Sequence, residues 1–102
     1  MNDEIEFRKS ALLSTYRALH GAIYPAVRAV AVSFKDQKNL TLRYYLDREP
    51  TEDDYEVVRV ATTEIVADIP EFENVQEECI YSTEPIGKLD FLDSCVYIRK
   101  ED

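Results

Sequence analysis

The stretch Ala26–Leu46, AVRAVAVSFKDQKNLTLRYYL, decides the fold. Ala26 to Lys35 reads as an extended segment, with Val30, Val32 and Phe34 on one side and Val27, Ala29 and Ala31 on the other. Apolar residues on both sides mark an inner strand, or one covered by helices. Asp36-Gln37-Lys38-Asn39 has the composition of a turn, and alternation resumes at Leu40, Leu42, Tyr44 and Leu46. The two runs predict an antiparallel hairpin.

Outward from the hairpin lie two helical patterns. Residues 3–20 carry Ile5, Leu12, Tyr16 and Leu19 at helical spacing, with Asp3 and Glu4 at the positive end of the dipole and Gly21 as a stop. The second helix begins at Thr51, where Thr51 and Asp54 approximate a capping box with an acid in place of the commoner Glu or Gln. Val58, Ala61, Ile65 and Ile69 supply its inward stripe, with Thr62 at the margin, and Pro70 ends it. Two further strands, about Val75–Ser82 and Phe91–Lys100, flank the turn-rich Glu84-Pro85-Ile86-Gly87-Lys88. The predicted class is α+β in the order α-β-β-α-β-β. It forms one domain over residues 1–102, with a four-stranded, mainly antiparallel sheet, both helices on one face and the other face open.

Composition narrows function. The formal net charge is −9, which opposes binding to nucleic acid or anionic membrane and favours a basic partner. The charge is unevenly placed. Met1–Arg48 holds eight Lys/Arg against five Asp/Glu, a net of +3. Glu49–Glu78 holds only Arg59 against eleven acids, a net of −10, and residues 79–102 add −2. Ten excess negative charges in thirty residues repel one another, so a docking surface for a cationic partner explains them better than solubility alone. The candidate contact residues are Glu49, Glu52, Asp53, Asp54, Tyr55, Glu56, Asp68, Glu71, Glu73, Glu77 and Tyr45. Tyr44, Tyr81 and Tyr97 are further aromatic anchors, several of the tyrosines being core residues instead.

Chemistry-bearing motifs are sparse. Two glycines leave no phosphate-cradling loop, and GxSxG, HExxH and EF-hand spacings do not occur. His20, the one histidine, falls at the predicted end of the first helix, where it suits the negative dipole end. Glu52 and Glu56 share a helix face but have no coordinating His beside them. Cys79 and Cys95 form no CxxC and read as two reduced thiols, with a single bridge between adjacent strands as the alternative. The acidic opening Met1-Asn2-Asp3-Glu4 has no apolar signal region after it, and no run approaches a membrane span. The expectation is a cytoplasmic binding protein that is not an enzyme and uses no cofactor or metal.

The acidic second helix running into Glu64-Ile65-Val66-Ala67-Asp68-Ile69-Pro70 and the closing Leu89-Asp90-Phe91-Leu92-Asp93-Ser94-Cys95-Val96-Tyr97-Ile98-Arg99-Lys100-Glu101 carry a resemblance. Over Thr51–Glu101 the chain resembles the immunity proteins of bacterial contact-dependent growth inhibition systems. The resemblance implies binding to the cognate C-terminal toxin domain of a surface effector, a basic nuclease such as an RNase acting on tRNA. It also implies neutralisation by masking the active site or substrate surface. Two other classes fit parts of the sequence: a small carboxylate-dependent enzyme, and an acidic nucleic-acid mimic that regulates a DNA-binding protein. The first requires a pocket of perturbed acids; the second requires carboxylates in a continuous, phosphate-like stripe.

Overall fold

In the computed structural model, which describes residues 2–101, the hairpin is the centre of the molecule. β1 (Val27–Lys35) and β2 (Asn39–Leu46) pair antiparallel, with Val30 opposite Tyr44, Val32 opposite Leu42 and Phe34 opposite Leu40. Those six side chains lie on one face and are buried. Asp36 and Gln37 both adopt positive φ, 58° and 59°, which gives the tight turn the right-handed twist of its strands. A bulge at Arg28 shifts the register between Val27 and Ala29. It puts Val27, opposite Leu46, on the same side as Val30 rather than with Ala29 and Ala31.

The remaining elements are α1 (Asn2–Ala18), α2 (Glu52–Asp68), β3 (Asn74–Tyr81), a short 3₁₀ turn (Ile86–Lys88) and β4 (Ser94–Ile98). This is the expected α-β-β-α-β-β order. The sheet runs β3-β2-β1-β4, with β1 inside, as its two apolar sides required. β1 pairs antiparallel with both β2 and β4, whereas β3 lies parallel to β2 over eight residue pairs. The sheet is therefore mixed. The parallel pair follows from α2, which carries the chain back to the start of β2 before β3 begins, as a crossover must.

Both helices cover one face. Val58, Ala61, Thr62, Ile65 and Ile69 of the α2 side are buried as their spacing predicts. α1 differs from expectation: Ile5 is 59% exposed and Tyr16 52%, while Ala11, Ser14, Thr15, Ala18 and Leu19 face the core. Small side chains bring α1 close to α2, so its buried face is not the one with the largest apolar residues. α1 runs antiparallel to α2: Ser14 and Arg17 bond Asp68, and Tyr24 further along bonds Asp54. Phe72, just after α2, joins Phe7 of α1 (ring centroids 5.6 Å, edge-on) to Phe34 of β1 (5.9 Å, stacked).

The second face is not open. β3 and β4 occupy opposite edges, so residues 82–93 cross about three strand spacings, roughly 14 Å, over the helix-free face. Tyr45 donates its hydroxyl to the Asp90 carbonyl at 2.7 Å and packs edge-on against Phe91. Arg43 reaches Glu78 at 2.6 Å, and Ser33 reaches Asp93 at 2.9 Å. Ala29 and Ala31 are wholly buried beneath this crossing. The same topology puts Cys79 and Cys95, both free thiols, on opposite edge strands, too far apart for a disulfide.

Candidate functional site

The chain direction divides the acidic window. α2 spans 17 residues, about 25 Å. Glu49, Glu52, Asp53, Asp54, Tyr55 and Glu56 gather at its N-terminal end, whereas Asp68, Glu71 and Glu73 lie at or beyond its C-terminal end. β3 splits the remainder. Glu77 points toward α2 and accepts from the Thr62 hydroxyl, while Glu78 is on the opposite face with Arg43.

The N-terminal end of α2 is built around Asp54. The capping box is complete: the Asp54 amide donates to Thr51 Oγ1 at 3.4 Å, and the Thr51 amide donates to Asp54 Oδ2 at 2.7 Å. Arg48 grips both oxygens of Asp54 at 2.7 and 3.1 Å, and the Tyr24 hydroxyl donates to Oδ1. These donors, Arg48 foremost, hold the carboxyl well below the usual carboxylate range. Only 2% of Asp54 is exposed. It is an internal strut of the surface, not a contact on it.

With Asp54 turned inward, its neighbours turn out. Glu49, Glu52 and Asp53 are exposed and make no ion pair among the described residues. Glu56 is exposed and pairs with Arg59 one turn on. Tyr55 is 38% exposed, with its hydroxyl 3.5 Å from the Cys79 carbonyl. Uncompensated negative charge is thus concentrated at the start of α2, where the dipole stabilises it and the one cation of α2, Arg59, is engaged by Glu56 and Glu77.

The other candidates stand differently. Asp68 is exposed but engaged: Ser14 donates at 2.7 Å and Arg17 at 3.3 Å, and the Ser14 bond leads the lowering of its pKa. Glu73 approaches Lys38 at 4.0 Å, and Glu71 is exposed beside Pro70 on the rim of an open hollow of about 690 Å³ shared with α1. Glu77 is half-buried against α2. Tyr45 is 5% exposed beneath the β3–β4 crossing, and Tyr44 is wholly buried, donating to the Ala22 carbonyl at 3.0 Å. Of the tyrosines named as partner anchors, Tyr55 and Tyr81 (42% exposed) reach solvent most. Val60 and Val75, exposed at 49% and 40%, carried no signal in the sequence because each sits in an ordinary apolar pattern.

The arrangement offers charge and shape to a partner. The carboxyl groups with shifted pKa values, Asp54, Asp68 and Glu101, are all lowered by donors that stabilise the anion. A general acid needs the opposite shift. Val60, Thr63 and Ala67 interrupt the outer side of α2, so its acids do not form a phosphate-like stripe. No group of three or more His, Cys, Asp or Glu side chains suited to a metal ion occurs among the described residues. No helix among the described residues is long and apolar enough to cross a membrane.

A family described as MafI2 immunity protein matches residues 8–101. A search among curated proteins finds no match. Among solved structures, the chain is similar to one titled "MamM CTD - Copper form", with a TM-score of 0.52 at 15% identity, covering 92% of this chain and all of that one. At that identity the likeness is one of fold.

Proposed function

The chain belongs to the MafI2 immunity protein family, and from that premise we propose that it neutralises a cognate cationic toxin domain by docking the start of α2 on it. The observation that carries the reading is the group Glu49, Glu52 and Asp53, exposed together without cation partners. On a nuclease, Lys and Arg that hold substrate phosphate are the natural complement of such a group. Carboxylates then occupy the place of phosphates, with Tyr55 as a neighbouring aromatic anchor. The toxin is a nuclease, an RNase acting on tRNA being the leading case, at the C-terminus of a surface effector used in contact-dependent inhibition. The immunity protein is a non-enzymatic, cytoplasmic inhibitor that masks the active site or an adjoining substrate surface. A stable complex of this kind buries about 1,200–2,000 Å² in total.

The test is co-expression with the toxin domain encoded beside the chain. Restored growth and a co-purifying complex support the inhibitor role. A toxin that still arrests growth and forms no complex removes it. Degradation of cellular RNA by the toxin alone, suppressed by the chain, supports the nuclease assignment.

A further inference from the structure

The two edges of the sheet are finished differently. β4 has five residues, meets β1 through an irregular register between Val30 and Ala31, and runs into Arg99 and Lys100. Shortness, a bulge and charged residues, Lys above all, are the usual devices that stop an edge from recruiting another strand. β3 has neither the shortness nor the bulge, and its charges are the acids Glu77 and Glu78. It is eight residues long, pairs with β2 in unbroken register from Asn74 to Tyr81, and contains no Lys, Arg or Pro.

Its free side can be assigned. The Asn74 amide donates inward to the Lys38 carbonyl, and the Ser82 amide donates inward to the Leu46 carbonyl. By the alternation of a parallel ladder, residues 76, 78 and 80 also face β2, and the amides and carbonyls of Val75, Glu77, Cys79 and Tyr81 face outward. The position of the Tyr55 hydroxyl, 3.5 Å from the Cys79 carbonyl, agrees with that assignment. Val75 and Tyr81 add exposed apolar surface along the same edge.

We propose that an extended, cationic segment of the toxin partner adds to the outer edge of β3 as a fifth strand, with Tyr55 and Tyr81 packing on it. The inference rests on the inhibitor role argued above and specifies how the partner is held. Charge selects the occupant: the exposed Glu71 and Glu84 flank β3 without ion pairs among the described residues, whereas Glu77, Glu78 and Glu73 already face Thr62, Arg43 and Lys38. Because α2 runs antiparallel to β3, the turn before Tyr55 brings Glu52 toward the Tyr81 end of the edge. A second copy of the chain is a poor occupant. A two-fold antiparallel pairing centred on β3 sets Glu77 against Glu77, or Glu78 against Glu78, and like charges directly opposite are destabilising. Main-chain pairing supplies affinity in such an addition, and side chains supply selectivity.

Amide hydrogen exchange on the free chain and on its complex with the toxin domain encoded beside it tests the assignment. The amides of Val75, Glu77, Cys79 and Tyr81 should exchange at least about 100-fold more slowly in the complex, while those of residues 76, 78 and 80, already bonded to β2, change little. Val75→Lys with Tyr81→Lys, both at exposed side chains, should weaken the complex about 100-fold at an unchanged melting temperature. Should that variant unfold, the exchange pattern of the unaltered chain still decides. A tight complex without new protection on the outward amides overturns the added strand and leaves the inhibitor role standing. Failure of the unaltered chain to bind overturns both. Protection of the outward amides in the free chain, with sedimentation as a dimer, assigns the edge to a second copy and overturns the proposal.

Discussion

Tyr24 donates its hydroxyl to Asp54, so the best-anchored acid at the start of α2 faces into the protein while Glu52 and Asp53 beside it face out. The bond ties the α1–β1 connection to the helix cap, and Arg48 closes the other side of the carboxylate. The first turn of the helix therefore holds both a structural acid and acids available to a partner. Substitution should separate them.

Asp54→Ala removes its half of the capping box, the Arg48 pair and the acceptor of Tyr24 together, while the Thr51 cap on the residue-54 amide stays. It should cost about 2–3 kcal/mol of folding stability, the sum of two or three lost hydrogen bonds to a buried carboxylate. Glu52→Lys and Asp53→Lys, on exposed side chains, should stay within about 0.5 kcal/mol of the parent, apart from a small unfavourable dipole contribution. Urea denaturation of the three variants checks the contrast.

Acid should loosen the fold through the same groups. Asp54 and Glu101 both have folded-state pKa values below the ordinary carboxyl range, Glu101 lowered to about 2 chiefly by its bonds from Arg28. A depressed carboxyl contributes stability that is complete above its unfolded value, near 4, and is lost as pH falls toward the folded value. The melting temperature should hold from neutrality to about pH 5 and drop steeply between about pH 4 and 2. Thermal melts across that range read it directly, and in Asp54→Ala the drop should be shallower.

Arg28 sits at the bulge of β1 with 6% exposure and donates to both oxygens of Glu101 at 2.9 and 2.8 Å, and to the Ser82 carbonyl at 2.8 Å. It pins the end of the described chain and the start of the β3–β4 crossing to the sheet. Arg28→Ala strips the Ser82 carbonyl of its donor and leaves Glu101 only its bonds from Arg99, and should cost about 3 kcal/mol, in the range for breaking one partner out of a buried pair. Glu101→Ala should lower the denaturation midpoint by less, because Arg28 keeps the Ser82 carbonyl. Equal effects would mean that the Ser82 bond contributes nothing.

Gln37 holds φ at 59°, in the left-handed region where a side chain costs about 1 kcal/mol or more. Gln37→Gly should raise stability by about 0.5–1 kcal/mol if relief of that strain outweighs the added freedom of the unfolded chain. The measurement is again the urea midpoint, and a fall would show that the Gln37 side chain contributes more than its backbone costs.

The parts legible in the sequence were those with local signals. The Val30/Leu42 alternation, the Asp36–Asn39 turn and the Thr51–Asp54 capping box each sit within a few residues of the structure they specify. The parallel pairing of β3 was not legible, because Val75–Tyr81 has the same alternation whichever way its neighbour runs. The covered second face followed from strand order, which puts β3 and β4 on opposite edges and is decided by long-range packing. α1 misled because Ala11, Ser14 and Ala18 are small, and a pattern weighted by large apolar residues passes over them. The acidic window was real as composition, but a 17-residue helix carries its two ends apart, and Asp54 and Tyr45 turn inward.

The central claim concerns the exposed start of α2, and affinity for the cognate toxin domain tests it most directly. Titration calorimetry should compare the unaltered chain with the triple variant Glu52→Lys, Asp53→Lys and Glu56→Lys, each at low and at physiological salt. The account predicts a folded variant that binds about 100-fold more weakly, and a salt dependence in the parent that the variant loses. A parent that binds tightly and a variant that binds equally well would contradict it, and α2 would then be a solvated face.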